Sequence, residues 1–218
     1  MILELADLYR ADAVRQLAAI DAFVHVIDAP HFSKPGHVLA VMGDLQVPVD
    51  PSLRTEIAKE TWNRIGEGET WVRGTRFEAL LAFLLGQVAD FRVVSRNYTT
   101  DTEEIDILLQ IDNFSSRCWL ESGVPFLLVE AKNWDDEVPQ KEVTVFLGKI
   151  LTKRGRARIG LLFARKGFTG AADLQETKLG QKEEIVVALV GPDTLLEWIE
   201  REDGDEYLED VVRDAMLR

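Results

Sequence analysis

Hydrophobic and polar positions along the chain alternate between two periods. Phe77, Leu80, Leu81, Leu84, Leu85 and Val88 recur at i, i+3, i+4, i+7, i+8 and i+11, the stripe of an amphipathic helix. Glu78 sits at the edge of that stripe. Short apolar runs then take over at residues 91–95, 105–111 and 126–129, bounded by polar stretches at 99–104 and 112–123, as buried strands are. The helical period returns after Pro139. There Val143, Phe146, Leu147, Ile150 and Leu151 form a core stripe, headed by Gln140 and closed by Gly155. Residues 159–163 and 185–190 read as two further strands. Helices are expected over 170–181, from Pro192 onward, and over 202–218, where Tyr207, Leu208, Val211 and Val212 mark an apolar face.

Upstream, Leu5, Leu8, Val14, Leu17, Ile20 and Val24 lie near helical spacing over residues 1–27, and Pro30 and Pro35-Gly36 end that segment. Residues 37–49 fit neither period. Pro51 opens a helix running to about Ile65, with proline in its first turn, and Gly66-Glu67-Gly68 breaks it. This order predicts an α/β fold, a mixed central sheet flanked by helices and preceded by a helical N-terminal region. The expected units are residues 1–70 (the helical region), 71–200 (the sheet-bearing domain) and 201–218 (an acidic C-terminal helix).

Composition narrows the class. The 218 residues are 46% hydrophobic and 29% charged, which are globular values. A single cysteine, Cys118, excludes an internal disulfide and zinc fingers built on cysteine pairs, and is expected to be a buried or semi-exposed, inert thiol. The first residues carry acids where a secretory signal needs bases, and the apolar patch at 79–85 is too short to span a bilayer; a cytoplasmic protein is expected. His25, His31 and His37, six apart with intervening prolines, read as surface or packing histidines rather than a zinc site.

The net charge is −13, the wrong sign for a dedicated nucleic-acid binder. It is unevenly spread. Residues 132–170 carry nine basic and four acidic side chains, whereas residues 171–218 carry five and fourteen. Contact with a polyanion is therefore expected to be local and weak. The densest basic run is Lys153, Arg154, Arg156 and Arg158, read as an exposed loop touching phosphates. The alternative is that Lys153 and Arg154 complement the preceding helix's C-terminal dipole, which leaves Arg156 and Arg158 over.

The chemistry concentrates where the apolar run 126–129 stops at Glu130, Ala131 and Lys132. Residues two apart on a strand share a face, so Glu130 and Lys132 point one way and Ala131 the other. One reading is a hard-metal ligand beside a lysine that handles water; the other is a solvated ion pair at a strand end. Asp106 adds weight to the first, because aspartate is depleted in strands and this one stands among isoleucines and leucines. If the two strands are neighbours, Asp106 and Glu130 converge on one Mg²⁺, an ion that takes a few carboxylates plus waters and a phosphate.

The order helix-Glu78, strand, strand-Asp106, strand with Glu130-Ala131-Lys132, helix, strand resembles the PD-(D/E)XK nuclease superfamily. Gly74 to Leu81, Glu104-Ile105-Asp106, Val129 to Trp134 and the stretch from Val138 to Lys149 resemble its Mrr-like restriction endonuclease branch. The resemblance covers about residues 72–170 and implies a restriction-endonuclease-like sheet. It implies that Asp106, Glu130 and the Ala131 carbonyl ligate Mg²⁺, with Mn²⁺ as a substitute. It also implies that Lys132 acts on the attacking water, that Glu78 is an accessory acid reaching the metal through water, and that Gln140 is a further site residue. Lys141 beside it joins Arg154, Arg156 and Arg158 as an expected DNA contact. The implied function is metal-dependent DNA cleavage in restriction or defence, as a homodimer or with a partner subunit. The alternative is a silent nuclease fold that binds nucleic acid or a protein. Isoleucine rather than proline precedes Asp106, a departure from many members.

Overall fold

The computed structural model describes residues 37–47, 49–99, 103–111, 117–172 and 184–217. The expected helix over 1–27, the part of the 170–181 helix that follows Ala172, and His25 and His31 lie outside these residues. Five strands form one sheet in sequence order: β1 (Phe91–Thr99), β2 (Glu104–Ile111), β3 (Phe126–Lys132), β4 (Ala157–Ala164) and β5 (Val186–Val190). The first three run antiparallel and the last two pairings are parallel. The connections dictate the switch. Links without a crossover helix let β1, β2 and β3 fold back on one another, whereas the helix Gln140–Leu151 separates β3 from β4 and makes a crossover. The mixed, helix-flanked α/β sheet matches the expected class.

Helices cover both faces. Before the sheet come α1 (His37–Asp44), α2 (Pro51–Asn63) and α3 (Thr70–Gly86). Helix α4 (Gln140–Leu151) makes the crossover, and α5 (Pro192–Glu200) and α6 (Gly204–Met216) follow β5. Strand alternation splits the core. Leu127 and Val129 of β3 pack with Phe77, Leu80, Leu81 and Leu84 of α3, and the same cluster takes in Trp198, Leu208 and Val212. Leu128, between them, packs with Val143, Phe146, Leu147 and Ile150 of α4. Helices α3 and α4 thus lie on opposite faces of β3.

Residues 37–49, which fitted neither period, contain α1. Leu39, Ala40 and Met42 are all buried, so no polar face was left to reveal the helix. Its approach to α3 is backbone on backbone: a Cβ on Gly43 would lie 2.1 Å from the Ala82 carbonyl oxygen, and one on Gly86 2.4 Å from the Gly43 carbonyl oxygen. Glycine is required at both positions for the helices to come this close. Two other elements outrun their patterns. Strand β1 continues to Thr99 because its outer half is a polar edge, where Arg96 pairs with Asp44 at 2.8 Å. The loop before β3 holds a 3₁₀ turn, Cys118–Ser122, which buries Trp119 against Phe91 with ring centroids 4.7 Å apart.

Candidate functional site

Strands β2 and β3 pair from Gln110 with Phe126 to Ile107 with Val129. One further step would set Asp106 opposite Glu130, and there the side chains take over. The Ala131 N–H donates to Asp106 Oδ2 at 2.7 Å. This bond anchors one carboxylate oxygen of Asp106 beside Glu130. Among the described residues Oδ1 accepts no hydrogen bond.

Glu130 is 5% exposed. A carboxylate so placed is strongly unfavourable unless it is paired. Two ammonium groups pair it. Lys149 Nζ, from α4, donates to both Glu130 oxygens at 2.8 and 2.7 Å, and Lys132 Nζ donates to Oε1 at 3.0 Å. Lys132 also meets Glu142 of α4 at 3.2 Å and lies 5.5 Å from the Trp134 ring centroid. Lys149 has a further acceptor, the Glu104 carbonyl, at 2.5 Å. Glu130 and Lys132 therefore both face α4, while Ala131 packs into the α3-side core.

The electrostatics follow from this crowding. Burial, then the neighbouring Glu130, pushes the Asp106 carboxyl up to about 6. Burial disfavours the Lys132 ammonium, but Glu130 and Glu142 outweigh it, so its pKa is held above the ordinary lysine value. Lys132 is thus a cation at neutral pH, suited to orienting water and meeting negative charge rather than to accepting a proton.

Glu130 raises the proton affinity of the adjacent Asp106, a crowding that a hard divalent cation would relieve, and the Lys149 ammonium lies across both Glu130 oxygens. No group of three His, Cys, Asp or Glu side chains suited to a metal gathers among the described residues. A Mg²⁺ ion placed here would take Asp106 and Glu130 as its side-chain donors, with a backbone carbonyl and waters to complete the set.

The other sequence-derived residues fall elsewhere. Glu78 lies half-buried on α3, across the sheet from α4. Gln140 and Lys141 are exposed at the start of α4, where Pro139 provides no side-chain cap. Arg154, Arg156 and Arg158 are exposed, but their loop meets β3 at its far end: the Phe126 N–H donates to the Arg156 carbonyl at 3.2 Å, and Ala157 pairs with Phe126. Six strand residues, about 20 Å, separate that end from Lys132. Arg158 lies 3.6 Å from Glu184. Lys153 is taken by Glu103 at 2.7 Å rather than by the helix terminus.

Lys149 and Glu142 are the site residues that sequence reasoning missed. They stand seven apart on α4, each one position before a core residue, Val143 and Ile150. That spacing places both on the border of the apolar stripe, so an opposite-charge pair bordering the stripe was the available signal. A second cluster braces the turn after β3: Arg73 and Arg165 both bond Asp135, at 2.9 and 2.5 Å, and Arg165 also donates to the Trp134 carbonyl at 3.2 Å.

An aspartate near the start of one strand, Glu-x-Lys closing its antiparallel neighbour and a parallel crossover behind them define a domain of the PD-(D/E)XK nuclease class. A family model of the Mrr catalytic domain, described as a restriction endonuclease, matches residues 71–199, more than half of the chain, and the chain belongs to that family. No curated protein and no solved structure matches it. Among the described residues no helix is long and apolar enough to cross a membrane.

Proposed function

We propose that the protein is a Mg²⁺-dependent endonuclease that hydrolyses DNA phosphodiester bonds at the Asp106–Glu130–Lys132 site, with Mn²⁺ able to replace Mg²⁺. The observation that carries this reading is the juxtaposition of Asp106 and Glu130 on neighbouring strands, with Lys132 bonded to Glu130. The bound cation would lower the pKa of a water and neutralise charge on the phosphoryl oxygens. Asp106 and Glu130 would hold it, together with the Ala131 carbonyl. Lys132, kept protonated by its acidic neighbours, orients the attacking water and meets the charge that builds on the phosphate. Glu78 acts at longer range through water. Gln140 and Lys141 take an adjacent phosphate at the uncapped start of α4. Arg154, Arg156 and Arg158 touch the backbone of a duplex long enough to reach the other end of β3. Residues 71–200 form the catalytic unit, with 1–70 and 201–218 as its flanks.

The second reading, a silent nuclease fold that binds nucleic acid or a protein, draws on the lysine saturation of Glu130, since that pairing needs no metal. Incubating supercoiled plasmid with the protein and Mg²⁺ or Mn²⁺, beside an EDTA control and Asp106→Ala, separates the two. Metal-dependent nicking that is lost in the variant is expected; no cleavage with either metal, or cleavage undiminished in the variant, rules the site out.

A further inference from the structure

We infer that Lys149 is a positioning residue of the metal seat, a resident counter-cation that holds Glu130 while the seat is empty and leaves it when the divalent cation enters. The inference rests on the metal-site reading above. Three observations carry it. First, one ammonium is enough to neutralise a buried carboxylate, and Lys132 already supplies one at 3.0 Å. Lys149 is the second, and it spans both oxygens at 2.7 and 2.8 Å, occupying the lone pairs that a metal would use. Second, the local charges balance only if it goes. Asp106, Glu130 and Glu142 are offset by Lys132 and Lys149 to one net negative charge. A dication added beside both lysines leaves one net positive charge, whereas the same dication with Lys149 released brings the cluster to neutrality. Third, release is open to it. Its side chain is 15% exposed, it stands at the border of the α4 stripe, and its remaining bond is to a backbone carbonyl at the start of β2. Lys132, whose side chain is exposed to the same extent, is held by two carboxylates and stays.

The binding-competent population is then the fraction in which Lys149 has left, and metal affinity is reduced by that fraction. Calorimetric titration with Mn²⁺ tests this on the wild type, Lys149→Met, Lys149→Arg and Glu130→Gln. Lys149→Met is expected to bind Mn²⁺ about tenfold more tightly than wild type. Its metal-free melting temperature should fall, and saturating Mn²⁺ should close the gap. Lys149→Arg keeps the competing charge and should keep the wild-type affinity within about threefold. Equal or weaker Mn²⁺ binding by Lys149→Met overturns the inference alone, provided that Glu130→Gln has lost binding. A wild type that binds no Mn²⁺, or binding that survives in Glu130→Gln, overturns the metal site and the inference together. If Lys149→Met fails to fold, wild-type NMR decides. Under Mg²⁺ titration the Lys149 ε-methylene resonance should shift in step with saturation while that of Lys153 holds. A Lys149 signal unmoved at saturation overturns the inference.

Discussion

Lys132 keeps its proton because Glu130 and Glu142 flank it, and this fixes what its loss should do. Lys132→Ala should lower turnover by about 10²–10⁴-fold while Mn²⁺ still binds, as single-turnover kinetics and calorimetry on the same sample would read. A few-fold loss would reduce Lys132 to a strand-end ion pair. Asp106 gives a pH signature in the metal-free protein. Its carboxyl is raised from 3.8 to about 6, first by burial and then by Glu130. Between those values the folded state holds a proton that the unfolded chain has already released. Stability therefore falls as pH rises through that window and stays lower above it, by about 2–3 kcal/mol at most. Asp106→Asn retains an acceptor for the Ala131 N–H and removes the titration. Its urea-derived stability should be flat from about pH 4.5 to 7.5 where wild type declines; a decline as steep as wild type would dispose of this account. The strand period made the shared face of Glu130 and Lys132 legible in the sequence. The Asp106 bond to Ala131 was not legible, because it depends on the register between two strands.

Helix α4 shows the same division at the scale of an element. Its apolar stripe was plain, since Val143, Phe146, Leu147 and Ile150 follow a 3.6 period and all four are buried. Its distance from the sheet was not, because that is set by a residue on another element. A Cβ at Gly160 of β4 would lie 2.6 Å from Phe146 Cε1 and 2.7 Å from Ile150 Cδ1. Gly160 therefore lets α4 sit low enough for Lys149 to reach Glu130. Gly160→Ala should overpack this layer and lower stability by about 1–3 kcal/mol in urea unfolding. An unchanged midpoint would show that the two side chains yield freely. Helix α1 is the opposite case, hidden in the sequence because its run from Val38 to Gly43 is apolar or small throughout and shows no period.

Across the whole molecule, charge and topology limit where the proposed DNA contact can fall. The mixed sheet was legible from the alternation of runs and stripes, but where the basic loop falls relative to the site needed the strand directions. Parallel β3 and β4 begin at the same end, so the loop entering β4 lies at the opposite end of β3 from Lys132. With a net charge of −13 behind it, binding should be weak and steeply salt-dependent. Neutralising Arg154, Arg156 and Arg158 should weaken all DNA sequences alike and flatten the plot of log K against log salt by roughly 0.9 per lost contact. An unchanged slope would confine the duplex to the Gln140 end of α4.

Helix α6 ties the far end of the described chain into the fold. Leu208 and Val212 are part of the α3-side core, and the Cys118 N–H donates to Glu209 at 3.0 Å. On the ribosome, α6 emerges after every residue of the candidate site. Until it does, the core that supports β3 lacks part of its cover, and the site residues are strung on a chain that has not closed. Stopping translation before Gly204 should give aggregated protein in a fractionated lysate, where the full chain stays in the supernatant. A soluble, folded truncation would show that α6 arrives too late to matter.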